Sequence, residues 1–206
     1  MNPNKTHVSF EKEARLKIRE GIDTLEKAVG STLGARGKAV AIDKGYEKIV
    51  LRDGVSVAKA LNLKDPESNT ALSIMREAAQ MTVQEVGDGT TATVIMAHAL
   101  YTEGEKRIAA GIDPREFVED IQKDVATATK ELLKRAIPIK TLEQKIQVAT
   151  ISCEEESLGK LIGETIDRVG DDGVVTVEKS KNGETYVDMQ EGMQWDKGYA
   201  SPYFVT

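Results

Sequence analysis

Apolar residues recur every three or four positions near the start of the chain, which is the spacing of an amphipathic helix. The apolar positions of this stretch are Phe10, Ala14, Ile18, Ile22, Leu25, Val29 and Leu33. Ser9, followed by acidic residues, predicts the start of the helix. Gly34 and Gly37 predict its end.

The same spacing predicts further helices along the chain. One covers 66–85, with Pro66 in its first turn, and another runs from Thr90 to Ala109. Asp113-Pro114 is typical of the start of a helix. The aspartate side chain accepts hydrogen bonds from the free N–H groups of the first turn, and proline, which has no N–H, leaves no donor unpaired there. Shorter helices are predicted at 141–149 and 157–169.

Short apolar runs between turn residues predict the β-structure. Runs at 39–42 and 48–51 flank a turn that contains Gly45, which is typical of a β-hairpin. Asp53-Gly54 is interpreted as a tight turn that closes the second strand. Residues 174–177 and 185–189 are also predicted to be strands, so the pattern as a whole favours a mainly α fold with small β elements.

Composition narrows the class of protein. The chain has 206 residues with 40% hydrophobic but only 4% aromatic residues, so any core rests on aliphatic side chains. A net charge of −6 without a basic block argues against nucleic-acid binding. The only cysteine, Cys153, excludes an intrachain disulfide and fits a reducing compartment. No apolar run approaches the roughly 20 residues of a membrane span, and the N-terminus has no apolar signal core. We therefore expect a cytoplasmic protein without a membrane partner.

The strongest candidate for chemistry is Gly87-Asp88-Gly89-Thr90-Thr91, which directly precedes a predicted helix. Glycine lets the backbone approach an anion, and a helix N-terminus offers unpaired N–H groups. Aspartate is an oxygen ligand that suits Mg²⁺. The motif therefore predicts a phosphate site with its magnesium, although a loop with a capping threonine remains an alternative.

Two further segments are candidates for nucleotide contacts. They are Thr32-Leu33-Gly34-Ala35-Arg36-Gly37 and Arg52-Asp53-Gly54. Each has a plain structural alternative, the first as the end of a helix and the second as a turn. Spacing along the chain does not bring the three segments together.

Several landmarks along the chain together resemble the N-terminal part of a group I chaperonin, the GroEL family. They are Thr32-Leu33-Gly34, Asp53-Gly54-Val55-Ser56-Val57-Ala58, Gly87-Asp88-Gly89-Thr90-Thr91, Ala109-Ala110-Gly111, Gly192-Met193 and Gly198-Tyr199-Ala200-Ser201-Pro202-Tyr203-Phe204. The resemblance implies an incomplete fold: a helical bundle of the equatorial-domain type, followed by an α+β intermediate segment. It divides the chain into an equatorial ATP-binding part at 1–135, an intermediate part at 136–190 and the start of an apical, polypeptide-binding domain at 191–206.

The resemblance also implies roles for individual residues. Asp88 would ligate Mg²⁺, and Asp53 would orient or activate the attacking water as the catalytic acid residue. A potassium ion would lie near these groups. The residues that would contact ATP are Thr32, Leu33, Gly34, Arg52, Asp88, Gly89, Thr90 and Thr91. Three positions depart from the family pattern, which usually has proline, lysine and threonine where this chain has Ala35, Arg52 and Ala92.

The resemblance implies partners as well. Tyr199, Ser201, Tyr203 and Phe204 would contribute to a surface for unfolded polypeptide clients or a co-chaperonin lid, whereas the residues alone favour core packing. The assembly would be a heptameric, double-ring homo-oligomer. The expected function is an ATP-dependent folding chaperone. The alternative is a non-catalytic, chaperonin-like interaction fragment. The end of the chain within an apolar stretch indicates a truncated chain. The resemblance implies that the returning half of the family chain, with further nucleotide contacts, a second catalytic acid and packing partners, is missing. The fragment alone is therefore expected to aggregate or stay partly molten and to show little or no ATPase activity.

Overall fold

The computed structural model describes residues 8–153, 155–170, 173–180, 182–192, 198, 201 and 203. It divides into two compact units, Met1–Ala136 and Ile137–Thr206. The elements in chain order are α1 (Glu11–Gly30), β1 (Val40–Asp43), β2 (Lys48–Leu51), α2 (Gly54–Ala60), α3 (Pro66–Val86), α4 (Thr90–Ala109), α5 (Pro114–Arg135), α6 (Leu142–Cys153) and α7 (Glu156–Val169). The predicted fold class, mainly α with small β elements, is confirmed.

The core of the first unit lies where α1, α2, α3 and α4 meet. Aliphatic side chains from all four helices are fully buried there: Leu25, Val29, Val57, Leu72 and Val94. Among the described residues no aromatic ring is part of this buried cluster, although the half-buried Tyr101 packs against it. The core therefore fixes these four helices relative to one another.

Local sequence signals explain where most helices begin. The Asp65 carboxylate accepts a hydrogen bond from Ser68 N at 2.9 Å, and Pro66 follows it in the first turn of α3. Asp113 accepts from Arg115 N at 2.8 Å in the same way at the start of α5. The start of α5 agrees with the predicted Asp113-Pro114 pair, and the start of α3 agrees with the predicted place of Pro66, whereas the cap at Asp65 was not predicted.

Several boundaries differ from the prediction: α6 extends to Cys153, and Phe10 takes the N-cap position of α1 that was predicted for Ser9. Two further differences have a clear local reason. Helix α1 ends at Gly30, before Leu33, because the chain turns at Ser31 and closes a loop through a hydrogen bond from Lys38 N to Ser31 O at 2.8 Å. Asp53-Gly54 is not a tight turn. Asp53 caps α2, and its Oδ2 accepts from Ser56 N at 2.9 Å.

The hairpin is confirmed, with its first strand one residue later than predicted. Val40 pairs with Leu51 and Asp43 pairs with Lys48 in an antiparallel ladder. Val40, Ile42 and Leu51 pack against the helical core. The hairpin therefore adds one apolar face to the first unit.

The strands predicted at 174–177 and 185–189 are wrong for the described structure, which has no strand at either place. Val174 is 85% exposed and Val177 is 87% exposed. A strand needs a neighbouring strand to pair its N–H and C=O groups. Within the described residues these segments have no such neighbour.

In the second unit α6 and α7 pack closely, because α7 presents glycines to α6. A Cβ atom at Gly159 would lie 2.2 Å from Thr150 Oγ1, and one at Gly163 would lie 2.8 Å from the Ile146 Cα. Larger residues at these two positions would push the helices apart. None of the helices described here is both long enough and apolar enough to span a bilayer.

Candidate functional site

The glycine motif forms the turn between α3 and α4. Gly87 ends α3 with φ 82°, and its N–H donates to Val83 O at 2.8 Å. Gly89 precedes α4 with φ 95° and provides no side-chain cap. Both φ values lie in the left-handed region that glycine adopts without strain. The N–H groups of the first turn of α4 are consequently left for another acceptor.

Asp88 lies at the tip of this turn and is exposed. Its Oδ1 accepts a hydrogen bond from Gly89 N at 2.6 Å. This contact holds the carboxylate beside the N-terminus of α4. A cation held by Asp88 would therefore lie next to any anion bound at that N-terminus.

The Thr90 hydroxyl is an unpaired polar group at the start of α4. Thr90 is only 4% exposed, and its Oγ1 is buried without a hydrogen-bond partner among the described residues. A buried polar group left in this state costs about 1–3 kcal/mol. Rotation of the Thr90 side chain towards solvent would let a phosphate oxygen at the helix N-terminus satisfy it.

The three predicted segments meet at Gly54, the first residue of α2. Gly54 is buried, and a Cβ atom there would lie 2.2 Å from Thr91 Oγ1 and 3.4 Å from Thr32 Oγ1. Thr32 follows α1, Gly54 starts α2 and Thr91 lies in the first turn of α4. The structure thus brings together parts of the chain that spacing alone left separate.

The loop after α1 is folded onto itself beside this point. Thr32 Oγ1 donates to Val29 O at 2.7 Å. Gly37 fits against the Thr32 carbonyl, where a Cβ atom would come within 2.2 Å of the oxygen. Leu33 and Gly34 are exposed, and Gly34 has φ 77°. The loop therefore presents open backbone next to the threonine hydroxyl.

Asp53 and Arg52 lie directly before α2, and both side chains are exposed. Capping fixes Asp53 Oδ2 on Ser56 N, as described above. Among the described contacts, none joins the Arg52 side chain to the other predicted site residues. The Arg52 assignment therefore depends on the family resemblance alone.

Metal binding by protein side chains alone finds no support. Among the residues that the structure describes, no group of three or more His, Cys, Asp or Glu is arranged to hold an ion. A cation at Asp88 would need oxygen ligands from elsewhere, such as a nucleotide and water.

The predicted polypeptide-binding residues are only partly described. Tyr199 and Phe204 lie outside the described residues. Tyr203 is 95% exposed. Its backbone N–H donates a hydrogen bond to Ser201 Oγ at 3.4 Å. The sequence pattern without the family resemblance favoured a buried, core position for these residues, and Tyr203 does not have one.

Comparison with known proteins identifies the family. The model of the TCP-1/cpn60 chaperonin family matches residues 25–205. The chain belongs to this family. Chaperonin GroEL 1 of Protochlamydia amoebophila (strain UWE25) is 42% identical to it over 201 residues, which are 97% of this chain and 36% of the relative.

Solved chaperonin structures have the same fold. The chaperonin gp146 from the bacteriophage EL 2 (Pseudomonas aeruginosa), crystallised in the presence of ATP-BeFx, superposes with a TM-score of 0.65 at 29% identity, covering 75% of this chain and 28% of that one. A group III chaperonin in the open state gives a TM-score of 0.65 at 23% identity, covering 78% and 33%. The chain thus spans about a third of the length of these relatives.

Two residues near the motif were missed by the sequence analysis. Thr82 in the last turn of α3 and Thr93 in the first turns of α4 face each other across the glycine turn, with 3.2 Å between their hydroxyl oxygens. Their only signal in the sequence is a pair of threonines on either side of the motif. Only the pairing of the two helices reveals the contact.

Proposed function

We propose that this chain is the N-terminal part of an ATP-dependent chaperonin subunit, which binds and hydrolyses ATP to refold non-native polypeptides inside a ring. Membership of the chaperonin family supports the chaperone role. The ATP analogue in crystals of gp146 supports a nucleotide ligand.

The observation that carries the proposal is the meeting of Thr32, Gly54 and Thr91. A nucleotide is larger than any one of these segments, so a nucleotide site needs several loops at one place. The unpaired Thr90 hydroxyl and the uncapped N-terminus of α4 add groups that suit a phosphate.

In this proposal the phosphates bind the N–H and hydroxyl groups of Gly89, Thr90 and Thr91. Asp88 holds Mg²⁺, which in proteins is usually bound by one or two carboxylates together with phosphates and water. A single exposed aspartate therefore fits this ion, and K⁺ would bind close by. Thr32, Leu33, Gly34 and Arg52 line the rest of the nucleotide.

Asp53 has the proposed catalytic role. Its carboxylate would orient or activate the water that attacks the γ-phosphate. Ser56 N fixes one carboxylate oxygen, and this restraint keeps the group at the start of α2. The other oxygen is then the one available to water.

The remaining assignments follow the family. The equatorial part would comprise 1–135, the intermediate part 136–190 and the start of the apical domain 191–206. Tyr199, Ser201, Tyr203 and Phe204 would contact clients or a co-chaperonin lid, and burial of exposed aromatic surface such as Tyr203 would favour binding of unfolded chains. A heptameric double ring in the cytoplasm would be the working assembly.

The test is ATP binding and turnover by the full-length product of the gene. We expect Mg²⁺-dependent binding by calorimetry, and Asp88→Ala should weaken it by about tenfold to a hundredfold, because a charged contact is lost. Asp53→Ala should keep the affinity but reduce turnover by about a hundredfold or more.

Asp43→Ala is the matched control for Asp88→Ala. Asp43 Oδ1 also accepts a backbone hydrogen bond in a turn, from Gly45 N at 2.7 Å, but lies in the hairpin. It should leave binding unchanged. A wild-type protein that binds no ATP, or an Asp88→Ala variant that binds as wild type, would refute the proposal.

A non-catalytic interaction protein is the second candidate. Ala92 favours it, since this residue leaves the first turn of α4 without the third hydroxyl of the family pattern. This candidate predicts that the full-length product captures an unfolded polypeptide without ATP turnover. Turnover that disappears in Asp53→Ala would exclude it.

A further inference from the structure

We propose that Thr82 and Thr93 are positioning residues that hold the glycine turn in the geometry that binds phosphate. This inference rests on the proposed nucleotide function and adds residues to it. Neither side chain belongs to the predicted set of nucleotide contacts. Both are half-buried and lie on the two helices that the turn joins.

The contact forms a chain of hydrogen bonds across the turn. Thr82 Oγ1 donates to Ala78 O at 3.2 Å, so its lone pairs are free to accept. Thr93 Oγ1 lies 3.2 Å from Thr82 Oγ1 and 3.0 Å from Gly89 O, and its single proton is shared between these acceptors. The last turn of α3 is thereby linked to the carbonyl of Gly89.

The turn itself has little intrinsic rigidity. Two of its three residues, Gly87 and Gly89, are glycines with positive φ, and glycine has the largest backbone freedom to lose. The hydroxyl link from Thr82 through Thr93 to the Gly89 carbonyl therefore restrains Gly89.

Restraining Gly89 matters because its peptide group starts α4. The orientation of Gly89 decides where the first N–H groups of the helix point, and these are the groups proposed to bind phosphate. Freedom in the turn would have to be lost on binding, which lowers affinity. A turn held in place before binding avoids that loss.

The experiment compares variants of the full-length product in ATP binding and steady-state turnover. Thr82→Val removes the hydroxyl, keeps the branched shape and leaves Thr93 with Gly89 O as acceptor. We expect the Kd and KM for ATP to rise about threefold to tenfold, with kcat unchanged because Asp53 lies on another element. Thr82→Ser keeps the hydroxyl and should bind within about twofold of wild type.

If Thr82 only stabilised the fold, the Thr82→Val variant would change different quantities. Loss of folded protein lowers the apparent kcat and the melting temperature but leaves KM unchanged. Thr70→Val is the matched control, because Thr70 Oγ1 makes the same type of bond, to Pro66 O at 2.8 Å, at the other end of α3. It should leave KM unchanged.

A double variant tests whether the two hydroxyls act as one link. If they do, Thr82→Val should add no further loss to Thr93→Val, whereas independent roles would add. Full additivity, or a Thr82→Val variant that binds ATP as wild type while Asp88→Ala binds weakly, would overturn the inference. Absence of ATP binding by the wild type would instead refute the proposed function.

Discussion

At the scale of single residues, Gly54 has the most consequences for function. It is the first residue of α2, and it lies close to two threonines from other segments, Thr32 and Thr91. Its φ is unremarkable, so the requirement for glycine is steric and not conformational. The residue is needed because Thr91 Oγ1 occupies the space that a side chain would take.

Replacement of Gly54 by alanine should therefore impair the site more than the fold. The new Cβ atom would lie 2.2 Å from Thr91 Oγ1, and the threonine must rotate away. Loss of that hydroxyl from the site should weaken ATP binding by about tenfold. Calorimetry of the full-length product would measure the affinity, and thermal unfolding without nucleotide would report on the fold.

Gly30→Ala is the control for this prediction. Its Cβ atom would meet mainly the end of the flexible Glu26 side chain, at 2.9 Å, so it requires only a side-chain adjustment. Its ATP affinity should match that of the wild type. Equal affinities of Gly54→Ala and wild type would contradict the steric account.

At the scale of elements, the crossing of α1 and α3 organises the first unit. Gly21 allows α1 to contact the backbone of α3, since a Cβ atom there would lie 2.1 Å from Ser68 O. Polar contacts surround the crossing: Ser68 Oγ donates to Glu20 Oε2 at 2.9 Å or to Asp65 Oδ2 at 2.8 Å, and Lys17 Nζ lies 3.1 Å from Asp65 Oδ1. The two helices are thus fixed at one point by packing and by charge.

Gly21→Ala should destabilise this crossing. The obstacle is backbone, which does not rotate away as a side chain does, so the two helices must separate. We expect a loss of about 1–3 kcal/mol in the free energy of unfolding. Urea denaturation of the full-length product would measure it, with Gly30→Ala on the same helix as the control. A Gly21→Ala variant as stable as Gly30→Ala would show that the helices adjust without cost.

The stability of this region should depend on pH because of Asp65. Hydrogen bonds from Ser68 N and the Ser68 hydroxyl, followed by Lys17, lower the pKa of Asp65 from 3.8 to about 2. A carboxyl group with a lowered pKa stabilises the fold above the unfolded value, and this contribution disappears as the pH falls from about 4 to about 2. The melting temperature should therefore decline over that interval.

Asp65→Asn tests this assignment. Asparagine still caps the helix but lacks the charge that faces Lys17. The variant should melt below the wild type at pH 7, and the difference should shrink towards zero near pH 2. Asp113→Asn is the control, since Asp113 caps α5 and the described residues offer it no ion pair. A difference for Asp65→Asn that does not change with pH would argue against the ionic contribution.

At the scale of the whole molecule, much apolar surface is left uncovered. None of the residues of α5 is buried, although its apolar positions have helical spacing. Val118, Val125 and Leu132 are each more than half exposed. The second unit also exposes Ile151, Val174 and Val177. Apolar surface of this extent favours association.

The isolated 206-residue chain should consequently aggregate or remain partly molten, and it should show little or no ATPase activity. Light scattering and binding of a hydrophobic dye would detect the exposed surface. Changing Val118, Val125 and Leu132 together to glutamine should reduce the scattering. A cooperative thermal transition with dispersed NMR signals for the unmodified chain would contradict this prediction.

A second variant on α5 provides the control. Glu119→Gln combined with Lys130→Gln alters two exposed side chains of the same helix and keeps the net charge. It should scatter light as the unmodified chain does. Equal reductions by both variants would mean that general polarity, and not the apolar stripe, governs association.

The pattern of residues along the chain was sufficient to predict most of the helices, the capped start of α5 at Asp113 and the presence of the hairpin. These features depend on residues within a few positions of one another, so local pattern is sufficient to predict them. It also predicted the glycine motif as a phosphate site, because the chemistry of the turn and the helix start are both local.

How these parts combine depends on the tertiary fold. The contact of Thr32, Gly54 and Thr91 and the link between Thr82 and Thr93 join residues on different elements, and spacing along the chain does not fix such distances. The segments at 174–177 and 185–189 show the converse case. Their pattern suits strands, but a strand forms only where another strand supplies its hydrogen bonds, and that condition belongs to the fold and not to the segment.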